Sequence, residues 1–195
     1  MFRPFEYNSL ELIEQKNYII APEKITLDDI YYVFQSVKLI PEPQISYPQA
    51  DSFKRVINLL EMLVEEDFSR DKVTHTFDVD PRQTNYYTSA VMYLGLVDKR
   101  RDGTLIIYFL NDEGRKIMNM PFKKKYLAIV ERILRNPSFH KAFEFYLNNG
   151  HSPDKTTVVQ IMKDFNVFDV NAESTFFRRA TTVRTWLDWI LSLQN

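Results

Sequence analysis

The chain contains no cysteine, which removes disulfide frameworks, thiolate metal sites and cysteine nucleophiles together. It has only four glycines, too few and too scattered for a phosphate-cradling loop. No run of about 18 apolar residues occurs, so no transmembrane helix is expected. The start, Met1-Phe2-Arg3-Pro4, lacks the apolar core of a signal peptide, and a cytoplasmic protein is expected. The three histidines, His75, His140 and His151, show no ligand spacing. Neither a metal nor an organic cofactor is expected.

What is present fits a soluble, well-packed chain. Its 195 residues allow one large domain or two small ones, and 45% apolar with 26% charged residues supply both a core and a solvated surface. The net charge of −1 argues at first against a polyanionic partner. The charge is unevenly placed, however. Residues 1–70 hold 7 Lys/Arg against 12 Asp/Glu, a balance of −5, whereas residues 71–195 hold 18 against 14, a balance of +4. Binding to phosphates depends on the local face rather than the total, although a surplus of this size is also ordinary for a solvated surface.

Punctuation residues divide the chain into three parts. Residues 1–50 form an N-terminal arm, with a short strand expected over Asn17–Ala21 and a helix opened by Thr26, whose Asp29 three positions on completes a capping box. Pro41, Pro43 and Pro48 then rule out regular helix or inner strand and mark a linker. Residues 51–121 begin with an amphipathic helix bearing Phe53, Val56, Ile57, Leu60 and Leu63 at helical spacing. A short helix over 70–76 follows, then Asp80-Pro81, a capping carboxylate before a first-turn proline, which opens a helix ended by Gly95. Leu96-Val97 and Leu105–Leu110 read as strands of a hairpin turned at Asp102-Gly103, and Asn111 caps a further helix. Residues 122–195 are expected to hold four helices, the last starting near Ser174.

Helix, helix, turn, helix and hairpin is the order of a winged helix-turn-helix. The expected fold class is therefore mainly α with small β-hairpin wings (α+β), arranged as a tandem winged helix-turn-helix, the second unit largely helical. A three-helix bundle with a chance hairpin would give the same order.

Two helices have the faces that a groove-reading helix needs. In the helix from Pro81, Tyr87, Ala90, Val91 and Leu94 form an apolar stripe, leaving Arg82, Asn85 and Ser89 opposite, with Tyr86 and Thr88 on the shoulders and Gln83 as a further candidate. Arginine can grip guanine and asparagine can grip adenine through paired hydrogen bonds, while Tyr and Ser suit phosphate. In the last helix, Phe176, Ala180, Val183, Leu187 and Ile190 form the stripe, with Arg178, Thr181 and Thr185 opposite and Thr182 and Arg184 flanking. Each helix is expected to read its own part of a site. Lys99, Arg100 and Arg101 are expected at the hairpin tip and, with Lys123 and Lys124, are candidates for phosphate contact. Trp186, Trp189 and Leu193 form a second apolar flank on the last helix, which should pack on residues 1–50 or on a second subunit.

Phe77-Asp78-Val79-Asp80-Pro81-Arg82-Gln83 with Tyr86-Tyr87, followed by Tyr93-Leu94-Gly95-Leu96-Val97, resembles the first winged helix of a tandem module found in or beside type II restriction endonucleases of bacteria and archaea. The stretch from Phe177 to Ile190 resembles the helix near the end of its second unit, and is the more specific of the two motifs. The resemblance covers residues 51–193 and implies recognition of double-stranded DNA, with cleavage by a separate nuclease domain or subunit. No nuclease domain is attached here, which leaves open a free-standing recognition protein, a subunit or a fragment. Glu14-Gln15-Lys16 with Glu6 is the nearest approach to a nuclease carboxylate cluster, but fifty residues cannot build that enzyme's central sheet. The expected function is sequence-specific duplex binding in a restriction-modification or similar defence system. Partners beyond DNA would be a nuclease subunit or a second copy of the chain. A protein-interaction module or a transcriptional regulator is the alternative.

Overall fold

The computed structural model describes residues 23–194. The expected strand over 17–21, and Glu6, Glu14 and Lys16, lie outside the described residues. Within them the protein is mainly helical, an α+β arrangement with one small three-stranded antiparallel sheet.

Helix α1 (Leu27–Ser36) starts at the expected capping box: the Asp29 amide donates to Thr26 Oγ1 at 3.2 Å, and the Thr26 amide donates to Asp29 Oδ2 at 2.7 Å. Residues 37–52 then run without helix or strand. They are not the free linker that three prolines suggest. Tyr47, Pro48 and Ala50 are buried, and several polar groups of the stretch find partners elsewhere in the chain. Ile40 N–H donates to Arg135 O at 3.0 Å, Tyr47 N–H to Phe168 O at 3.2 Å, Tyr93 Oη–H to Glu42 Oε1 at 3.1 Å, and Trp186 Nε1–H to Ala50 O at 2.7 Å. Tyr47 Oη shares a further hydrogen bond with Ser138 Oγ at 2.9 Å. The stretch is a strap, kept out of helix by its prolines and held in place by these hydrogen bonds to distant parts of the chain.

Helix α2 (Phe53–Glu65) leads into strand β1 (Phe68–Ser69), helix α3 (Arg70–Phe77), helix α4 (Pro81–Tyr93), strands β2 (Val97–Asp102) and β3 (Leu105–Leu110), and helix α5 (Asp112–Met118). The sheet order is β1-β3-β2, so β3 is central and β2 is an edge. Strand β1 is absent from the sequence reading because two residues carry no periodicity. It exists because Phe68 and Ser69 pair with Tyr108 and Ile107.

Helix α4 stops where expected. Gly95 has φ of +70°, its amide donates to Met92 O at 2.9 Å and the Leu96 amide to Val91 O at 3.3 Å. A side chain there would also meet Arg135 Nη2 at 2.6 Å, the nitrogen that donates to Leu94 O at 3.0 Å.

Helices α6 (Phe122–Leu134), α7 (Pro137–Asn149), α8 (Lys155–Asp164) and α9 (Glu173–Ser192) complete the described chain. One continuous core runs from Ile25 to Ile190, with Tyr47, Phe53, Tyr93, Phe139 and Trp186 at its aromatic centre. Phe53 meets Trp186 edge-on at 4.8 Å, and Phe139 stacks on Trp186 at 5.1 Å. The second apolar flank of α9 is thus covered within the chain: Trp186 by Phe53, Phe139 and Ala50, Trp189 by Phe53 and Tyr126. Helix α9 also packs on α8 and α2, and α6 on α1 and α5.

Candidate nucleic-acid interface

Helix α4 is positioned by its own cap and by α3. Asp80 Oδ1 accepts from the amides of Arg82 at 2.7 Å and Gln83 at 2.9 Å. The Thr74 and Thr84 hydroxyls hydrogen-bond at 2.8 Å, joining α3 to the first turn of α4. Thr84, Tyr87, Thr88, Ala90 and Val91 are buried. That leaves Arg82, Gln83 and Asn85 exposed and Tyr86 and Ser89 half-exposed, as the apolar stripe demands. The Arg82 guanidinium sits over the Tyr86 ring, 5.8 Å from its centroid.

On α9, Arg178 is exposed and Thr181, Arg184 and Thr185 are half-buried. Thr182 is 1% exposed, so its expected place on the contact surface is corrected. The turn of the helix carries it toward the core beside Val183 and Trp186, and its carbonyl accepts from Thr185 Oγ1 at 3.0 Å. Arg184 lies toward the start of α8, where it adds to the hydrogen bonds from Thr157 that hold the Asp154 carboxyl below its ordinary range. Arg179 is half-buried beside Arg178, and burial, with Arg178 next, lowers its pKa.

The two helices face one cleft. A space of about 280 Å³ is lined by Gln83, Tyr86 and Tyr87 from α4, by Arg178, Thr181 and Thr182 from α9, and by Gln49, Ala50 and Asp51 from the strap. Sequence reasoning singled out the helical residues but treated them as two separate faces, and it missed Gln49 and Asp51. No local signal marks those two, which follow a proline-rich stretch and reach the cleft only because the strap is tied down across α7 and α9. Farther along α4, Ser89 and Met92 line a second, wider groove of about 710 Å³ with Gln44, Ile45, Lys99 and Phe168. Gln83, Tyr86, Ser89 and Met92 recur every third position, so a single strip of α4 joins cleft and groove.

The basic triplet is not at the hairpin tip. Lys99, Arg100 and Arg101 lie inside β2, paired with Tyr108, Ile107 and Ile106, and the turn is Asp102-Gly103-Thr104-Leu105 with Gly103 at φ +58°. Pairing with the apolar β3 extends the strand through residues that the charge run made look like loop. Strand alternation then places Lys99 and Arg101 on one face and Arg100 on the other. Arg100 is held by Asp67 at 2.7 Å and lies over the Phe109 ring at 5.0 Å. Charge on an edge strand also guards it against pairing with another chain.

Lys123 is corrected more fully. Its ammonium bridges Asp29 at 3.0 Å and Glu23 at 3.5 Å, and its hydrogen bond to Asp29 is the main reason its pKa is raised. It ties α6 to the cap of α1, and neither it nor the exposed Lys124 lines the cleft or the groove. Among the described residues, Arg82, Lys99, Arg101, Lys124, Arg178 and Arg184 have no carboxylate within 4 Å. Also among the described residues, no three His, Asp or Glu side chains are grouped to hold a metal ion, and no helix is long and apolar enough to cross a membrane.

Residues 55–195 match the model of a domain of unknown function, DUF7226. The chain belongs to the DUF7226 family. No curated protein and no solved structure matches it. The DUF7226 match takes in the sheet and α3 to α9, and all of α2 beyond its first two residues. The strap lies before it. The cleft therefore joins residues of the DUF7226 domain to Gln49 and Asp51, which precede the matched stretch.

Proposed function

We propose that the protein binds double-stranded DNA sequence-specifically through the exposed strip of α4 and the adjoining face of α9. The observation that carries this reading is the convergence of two polar helix faces on one surface, with Arg82, Lys99, Arg101 and Arg178 left without carboxylate partners among the described residues. Buried or paired cations serve the fold, whereas unpaired ones beside exposed Gln and Asn side chains suit phosphates and base edges. The order α2, β1, α3, α4, β2, β3 supports a winged helix-turn-helix with α4 as its recognition helix. Helices α6 to α9 would be a second unit without a hairpin of its own. By the resemblance described above, the context is a restriction-modification or similar defence system, with cleavage left to a separate nuclease.

The test is duplex binding at two salt concentrations. Affinity should fall steeply as salt rises, because each phosphate contact releases bound counterions, and magnesium should not lead to cutting. Binding that ignores salt would refute the reading. A protein-interaction module is the second reading, favoured by the exposed Leu27, Tyr31, Tyr32, Leu39 and Phe122 on and around α1 and the start of α6.

A further inference from the structure

The cleft between α4 and α9 holds a carboxylate, which a surface built only to grip phosphates would exclude. Asp51 lines it with Gln49, Gln83, Tyr86 and Arg178, and among the described residues Asp51 has no cation within 4 Å. A phosphate seated there would meet like charge from Asp51. A neutral, planar nucleobase meets no such conflict. An aspartate accepts from the exocyclic amine of cytosine or adenine, and the amides of Gln49 and Gln83 each supply a donor and an acceptor for the rest of a base edge. The half-exposed ring of Tyr86 gives a stacking surface, backed by the Arg82 guanidinium. The floor is closed, since Ala50, Tyr87 and Thr182 are all buried. The space of about 280 Å³ is one that a single base fits.

We infer that this cleft receives one extrahelical, amine-bearing nucleobase from the bound duplex, an inference that rests on the DNA-binding reading above. Thymine is the disfavoured occupant, because it has no exocyclic amine to give the Asp51 carboxylate and its one ring N–H lies between two carbonyl acceptors. Extrusion costs unpairing and unstacking, and costs least at a mismatch, so a mismatch at the target position should tighten binding.

The test uses the full chain and a duplex selected from a random pool, with 2-aminopurine placed at each position in turn. Binding should raise its fluorescence severalfold at one position, and a mismatch there should tighten binding about tenfold. Asp51→Ala and Tyr86→Ala should each abolish both effects, and Asp51→Ala, which leaves the duplex-binding strip of α4 untouched, should keep low-salt binding to unrelated duplex intact. Asp51 is exposed, so its variant carries the test even if loss of the Tyr86 ring disturbs folding. Tight binding to the selected duplex with no fluorescence rise at any position overturns the cleft assignment and leaves the DNA-binding reading standing. No duplex binding at low salt overturns both. Saturable binding of free adenosine or cytidine, with no 2-aminopurine response in the duplex, assigns the cleft to a free nucleoside and overturns the inference.

Discussion

Glu42 should make the stability of the fold fall as pH rises, and Glu42→Gln should remove that fall. Glu42 sits half-buried in the strap, where the fully buried Tyr93 hydroxyl donates to its two oxygens at 3.1 and 3.3 Å. Burial dominates and pushes the carboxyl from 4.5 up to about 7, against the hydrogen bond from Tyr93, which favours the charged form. Between those values the native state holds a proton that the unfolded chain has released, so stability is full below pH 4.5 and is lost progressively until pH passes about 7. Taken at face value, a shift of this size corresponds to about 3 kcal/mol. Glu42 remains in contact with water, and screening reduces the expected effect to about 1–2 kcal/mol. Glutamine keeps an acceptor for Tyr93 and carries no charge. Urea unfolding of both proteins at pH 5 and pH 8, followed by the fluorescence of Trp186 and Trp189, gives the comparison, because both rings are packed in the core against Phe53. The variant should gain about 1–2 kcal/mol over the parent at pH 8 and little at pH 5. Equal differences at the two pH values would refute the argument, since every other titrating group cancels in the double difference.

Gly114→Ala should lower stability by about 3 kcal/mol or more, because the new methyl would lie 2.1 Å from the Leu96 carbonyl oxygen, a backbone atom with little freedom to move. Gly103→Ala, in open space but at φ +58°, should cost only about 1 kcal/mol, and equal thermal shifts for the two would contradict the close packing of α5 against the Leu96 backbone. Lys99→Ala with Arg101→Ala should reduce the salt slope of duplex binding by about two without moving the melting temperature. Arg100→Ala should instead cost less than about 1 kcal/mol of stability through its exposed pair with Asp67. Arg178→Ala should lower discrimination between duplexes by about 1–3 kcal/mol, whereas Thr182→Ala, at a buried position, should lower the melting temperature and leave discrimination intact, as paired binding and melting curves would show.

Helix boundaries and buried faces were legible in the sequence because they depend on neighbours three or four residues apart. Thr26 with Asp29, Asp80 before Pro81, and Asn111 each supply a cap whose partner amide lies within three residues. Gly95, at positive φ, ends its helix by a backbone property of one residue. The stripe Tyr87, Ala90, Val91 and Leu94 follows from a 3.6-residue repeat, and all four are buried. What depends on distant partners was decided only in three dimensions. Strand β1 exists because β3 offers an edge, and β2 runs through Lys99, Arg100 and Arg101 because the same strand pairs along its other side. Lys123 was a free cation in the sequence and is an anchor in the fold, its partner Asp29 lying 94 positions away in the chain. The proline-rich strap shows the division most clearly. Its prolines determine that residues 37–52 cannot be helix, but only the distant groups Arg135, Ser138, Phe168 and Trp186 fix where that extended chain lies. Local rules set each element's own conformation, whereas Gln49 and Asp51 reach the cleft through hydrogen bonds between residues as far as 136 positions apart.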